Sequence, residues 1–215
     1  MTRLPSTLDN PPVDRSARQL IAAAIDAHDE RAFASLLDQH YGRMLRLARA
    51  LAADHATAVA AVGRAWEAAL RGDGNADEFP SLTSWLLALA LAELPEERSL
   101  ADQLRDCEDV GTDLDGDSFE GEGRWSGHWR DDAMPAPWDE GGAPDSGREL
   151  LSCVRELPPP LAALLVLADV ERLDSLEIAA VLSVTRQRQL ALLHRARTTL
   201  RRIVDRRVTS EVASA

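Results

Sequence analysis

Apolar residues recur at three- and four-residue steps along the first hundred positions of the chain. Phe33, Leu36, Leu37, Met44, Leu47, Ala48 and Leu51 form one stripe, and Val59, Val62, Trp66 and Leu70 form a second after a break at Asp54. Leu82, Trp85, Leu86 and Leu89 form a third beyond the polar run RGDGNADEFP. That period marks amphipathic helices, and a leading helix over 18–28 would make a fourth. The periodicity vanishes across 100–147, a stretch rich in Gly, Asp and Pro. It returns at Leu150, Leu151, Val154 and Leu157, a helix expected to end at Pro158-Pro159-Pro160, and LAALLVLADV, apolar nearly all round, reads as a buried helix. The pattern predicts an all-α protein of two small helical domains with separate cores, over 17–99 and 148–207. A long linker over 100–147 joins them, with tails at 1–16 and 208–215.

The stretch after LAALLVLADV is the most specific in the chain. Asp174 with Glu177 three residues on has capping-box spacing, a brief turn follows at Ser183-Val184, and Thr185 can cap a long helix beyond it. Ile178, Ala179, Val181, Leu182 and Val184 are placed to hold the two helices together, which makes the C-terminal domain a helix-turn-helix. Such a unit presents the first turn of its second helix to base edges in the major groove. Here that turn holds Thr185, Arg186, Gln187 and Arg188, and His194, Arg195, Arg197, Arg201 and Arg202 lie further along, suited to phosphate. A solvated basic helix face is the competing reading.

Charge sharpens this division. The formal net charge of -12 is unevenly spread: residues 100–147 hold 3 basic and 14 acidic groups, whereas 148–215 hold 11 basic and 8 acidic. The acidic linker also carries Trp125, Trp129 and Trp138, and solvated linkers usually lack aromatics. Asp113, Asp115 and Asp117 have the spacing of a calcium loop, but Ser118 and Arg124 stand where such a loop needs Gly and Glu. The run Asp73, Asn75, Asp77 fails in the same way at Glu78 and Ser84. Cys107 and Cys153 have no His or Cys at ligand spacing, so no zinc site or disulfide framework is expected. There is no Gly-rich phosphate loop and no nucleophile with a base nearby, and His40 beside Tyr41 reads as a helix-interface pair. Neither an enzyme nor a cofactor is expected. With no apolar run of membrane-spanning length and no signal-peptide core in MTRLPSTLDNPP, the expectation is a soluble cytoplasmic protein.

At this level of detail the chain resembles a family. RELPPPLAALLVLADVERLDSLEIAAVLSVTRQRQLALLHRARTTLRRIV follows the order and spacing of region 4 of sigma-70-like factors of the extracytoplasmic-function group. FASLLDQHYGRMLRLARAL, Trp66 and FPSLTSWL are similar to region 2 of that group, and Phe119, Gly123, Trp125, Pro135, Pro137 and Trp138 resemble linker elements of some members. The resemblance implies a bacterial transcription initiation factor, monomeric when free, whose region 2 docks on core RNA polymerase and whose region 4 reads the -35 element of promoter DNA. It implies an acidic linker following basic polymerase channels, anchored by Trp125, Trp129 and Trp138, and an anti-sigma factor as a further partner. It also implies that the two domains can close on each other and mask both faces. Ala60 and Gly63 stand where the family usually carries acidic residues and a Gln for polymerase, and Ala92 and Glu93 stand where an Asn and basic residues usually meet the -10 element. An aliphatic surface at Leu87, Ala88 and Leu91 is therefore expected to melt promoter DNA poorly. The alternative is a degenerate homologue that binds a protein, through Leu190 and Leu192, as a regulator without promoter melting.

Overall fold

The computed structural model describes residues 30–73, 75–95, 100, 103–104 and 147–212. The leading helix expected over 18–28, the linker with its three tryptophans, the aspartates at 113–117 and Cys107 lie outside the described residues. What is described is all-helical, with no strand. Seven α-helices are described: α1 Glu30–Leu51, α2 His55–Arg71, α3 Leu82–Ala92, α4 Gly147–Val154, α5 Pro159–Leu165, α6 Ser175–Leu182 and α7 Arg186–Val212. None of them is long and apolar enough to cross a membrane.

The breaks between the first three helices have local causes. Asp54 starts α2 by accepting the Thr57 backbone N–H at 2.7 Å, and this bond holds its carboxyl below the ordinary carboxylate range. Gly72 ends α2 at φ 75°, in the left-handed region that glycine adopts without strain. Ser81 then opens α3 with a capping box shared with Ser84. The buried face of α2 is mostly alanine, with Ala58, Ala61, Ala65, Ala68 and Ala69, so α1 and α3 can both lie close against it. Phe33 meets Trp66 edge to face, ring centres 5.9 Å apart. Val59 and Leu70, expected on the apolar stripe of α2, stand instead at its rim, 37% and 43% exposed.

The C-terminal half begins with α4. Pro159 sits at the first position of α5, where a missing N–H costs nothing, so the helix starts within the proline run. The expected continuous helix over LAALLVLADV changes character half-way. Val166–Val170 widens into a π-helical turn, closed by the Glu171 N–H on the Val166 carbonyl at 2.8 Å. Arg172 follows with φ 58°.

The two halves share one continuous core. It runs from Met44, Leu47, Trp85 and Leu86 to Leu161, Leu164, Ile178 and Val204, with Leu104 fully buried in it. The sequence leads instead to separate cores. The difference lies in α3: Leu87 is fully buried, Ala88 and Leu91 are half-buried, and α6 packs against this helix. The residues expected to form an aliphatic surface are largely spent on that contact. Elsewhere α1 meets α5 and the π-helical turn.

Between α6 and α7 the chain turns at Ser183, which occupies the left-handed region at φ 54°. Its N–H and that of Val184 close on the carbonyls of Ala180 and Ala179, satisfying the end of α6. A side chain there carries strain that glycine lacks. Ser183→Gly should therefore raise stability by about 0.5–1 kcal/mol, seen in a thermal melt as a gain of about 2–4 °C per kcal/mol.

Candidate nucleic-acid interface

Both expected caps flanking this turn form. Asp174 accepts the N–H groups of Leu176 and Glu177 at 2.8 and 2.9 Å, and the Glu177 carboxylate accepts the Asp174 N–H at 3.0 Å. Thr185 caps α7 through its hydroxyl oxygen, which accepts the Arg188 N–H at 3.3 Å. Three N–H groups at the start of α6 and one at the start of α7 are thus satisfied by side chains, which fixes where α7 begins and hence which residues stand at its tip.

At that tip Thr185, Arg186 and Gln187 are exposed, and the positive end of the helix dipole lies beneath them. Arg188 differs. It is half-buried, and its guanidinium donates to the Leu104 carbonyl at 2.7 Å. Gln189 is buried, its side-chain oxygen accepting the Ser175 hydroxyl at 2.5 Å. A polar residue at an otherwise apolar position is thus accommodated by a partner on α6.

Three arginines further along α7, Arg197, Arg201 and Arg207, sit in ion pairs. Arg197 forks onto Asp169 at 2.6 and 3.1 Å, Arg201 meets Asp205 at 2.9 Å, and Arg207 reaches Ser152 on α4 and Glu156 just beyond it. His194 and Arg195 are half-buried and Arg202 is exposed. Surface pairs of this kind contribute at most about 1 kcal/mol. Leu192, proposed above as part of an apolar protein-binding surface with Leu190, is only 6% exposed and belongs to the core, and Leu190 is half-buried. Its place in the sequence, three residues after the buried Gln189, puts it on the inward face of α7.

On the other half, Ala60 and Gly63 face outward on α2, and the position of a Cβ at Gly63 is open space. Glu93, at the end of α3, is held by Arg64 through its carboxylate at 3.0 Å and its carbonyl at 2.6 Å. His40 is half-buried, with Nδ1 3.4 Å from the Thr83 hydroxyl, and burial together with Arg43 pushes its pKa below the ordinary 6.5.

One cluster has no counterpart in the sequence reading. Glu171, whose side chain is 1% exposed, receives Arg43 and Arg46 from α1. Arg43 donates to its carboxylate at 2.8 Å and to its carbonyl at 2.5 Å, and Arg46 forks onto both carboxylate oxygens at 2.6 and 3.0 Å. That hydrogen bonding pushes the Arg46 pKa up. More than a hundred residues separate the partners, so no local spacing could have announced the pair. Among the described residues no three His, Cys, Asp or Glu side chains gather as a metal site. No family model matches this chain, and none of the curated proteins compared with it matches either.

Proposed function

We propose that the chain is an RNA polymerase sigma factor of the extracytoplasmic-function type. In this reading residues 17–99 and 148–207 are two helical domains, α6 and α7 form a helix-turn-helix, and the protein acts in the bacterial cytoplasm on core polymerase and promoter DNA. The observation that carries it is the α6–α7 unit, two capped helices joined at a left-handed Ser183 with Arg186 and Gln187 exposed at the tip of the second. Arg186 suits bidentate contact with guanine in the major groove, Arg195 suits phosphate, and so do Arg197 and Arg201 once their carboxylate partners Asp169 and Asp205 are displaced. The acidic linker belongs in the basic channels of the polymerase, with Trp125, Trp129 and Trp138 as anchors. Chemistry is left to the polymerase, so the factor needs no cofactor.

Arg186→Ala should weaken binding to the preferred -35 duplex by about 1–3 kcal/mol and relax preference at one base pair. Arg195→Ala should weaken all duplexes alike and flatten the salt dependence. Fluorescence anisotropy against a set of single-base variants separates the two. Equal loss on every duplex for Arg186→Ala would remove the recognition helix from the account.

A further inference from the structure

The chain between α5 and α6 is distorted twice within seven residues. The α-helical winding opens into a π-helical turn at Val166–Val170, and Arg172 is forced to φ 58°. Wide turns of this kind and left-handed non-glycine residues persist only where the surroundings enforce them, and they gather at functional positions. Between the two distortions lies Glu171. The widened turn delivers its backbone N–H to Val166, and the left-handed residue after it turns the chain back toward Asp174. The result is a carboxylate carried out of its own half and buried against α1, where it accepts three hydrogen bonds from Arg43 and Arg46 while its carbonyl accepts a fourth.

Other polar contacts between the halves among the described residues are of a lesser kind. The Ser81 hydroxyl donates to Glu177 at 2.5 Å, Arg155 donates to the Arg49 carbonyl at 2.7 and 2.9 Å, and Arg188 donates to the Leu104 carbonyl. Each has one charged partner at most, whereas Glu171 joins opposite full charges with little access to water. A lone carboxylate in that position is strongly unfavourable, and it is relieved only by its two arginines or by water. The arginines are themselves 29% and 53% exposed in their side chains, so they stand at the edge of the contact where a competing anion can reach them. Losing them leaves the closed arrangement with a charge it cannot keep.

We propose that Glu171 is the release point of a latch: the Arg43–Glu171–Arg46 clamp holds the two halves closed, and breaking it separates α6 from α3 and frees Arg188 from the Leu104 carbonyl. This rests on the functional reading above only for its purpose, since the latch itself is a statement about conformation. When the clamp opens, the face of α3 and the first turn of α7 become accessible together. An anionic surface that engages Arg43 and Arg46 is the chemistry suited to open it.

The test uses the full-length chain. Glu171→Gln keeps the shape of the side chain and removes its charge, and Arg46→Ala removes the more exposed partner with little effect on the folding of either half. Circular dichroism of both variants should show native helix content, while small-angle scattering shows a larger radius of gyration than the native chain. Hydrogen exchange should quicken at least tenfold in α3 and α6 and leave α2 unchanged. Native compactness and native exchange in both variants would overturn the latch, as would uniform acceleration across α2, which means unfolding. If the variants open as described but neither they nor the native chain binds polymerase or DNA, the latch stands and the functional reading falls. Variants that stay closed yet bind polymerase as the native chain does give the reverse.

Discussion

Replacing Arg43 and Arg46 together by alanine should cost the closed structure about 3–5 kcal/mol, more than removing the carboxylate they hold. The asymmetry follows from burial. Glu171 is 1% exposed in its side chain, so taking away both arginines strands a charge that water cannot reach. Taking away Glu171 strands two guanidiniums that are already partly solvated, and they can turn outward. Glu171→Gln should accordingly lose less, within the ~1.5–3 kcal/mol of hydrogen bonds to a charged group. The double variant also has an escape, because opening hydrates Glu171, and the measured loss cannot exceed the free energy of opening. Chemical denaturation of the three proteins checks this ordering. A double variant as stable as the native chain would mean that Glu171 is not held as the geometry indicates.

Trp85→Ala should lower stability by about 3–5 kcal/mol. Trp85 is 1% exposed in the first turn of α3, beside Leu86 and Leu87 at 0%, and this helix contacts α1, α2 and α6. Truncation therefore damages the first bundle and its seam with α6 at once. Trp85→Phe should be far milder, because the buried indole N–H has no hydrogen-bond partner among the described residues and its removal relieves that unmet donor. Leu150→Ala, at a position 43% exposed, should change stability by no more than about 0.5 kcal/mol. Denaturant melts of the three substitutions rank them. Equal losses for Trp85→Ala and Leu150→Ala would contradict the position of α3 in the core.

These two sites also show what the sequence does and does not disclose. The stripe from Phe33 to Leu51, the break at Asp54, the capping box at Asp174 and Glu177 and the cap at Thr185 are local patterns, and each marks a helix or helix end that forms. Ser183 is legible too, since a turn that favours glycine forces a serine into the left-handed region. Legibility fails where the answer depends on distant chain. The aliphatic run of α3 reads equally well as a surface or a seam, and only the arrival of α6 decides it. Leu192 reads as a surface residue only while Gln189 is taken to face solvent; once Gln189 is buried against Ser175, Leu192 follows it onto the inward face of α7. The clamp is hidden altogether, because Arg43, Arg46 and Glu171 sit in stretches where charged residues are ordinary and nothing within a few turns marks them as partners. The widening at Val166–Val170 is hidden as well: VLADV continues the apolar helical pattern of LAALL before it, and nothing local distinguishes an α-helical from a π-helical winding.

Retention on immobilised core RNA polymerase tests the proposed function most directly, with the native chain and Glu171→Gln compared side by side so that closure cannot conceal the docking surface. A sigma factor is retained and directs the resulting holoenzyme to initiate from a promoter, with Glu171→Gln retained at least as well as the native chain. Failure of both proteins to be retained, with each shown to be folded, would contradict the reading.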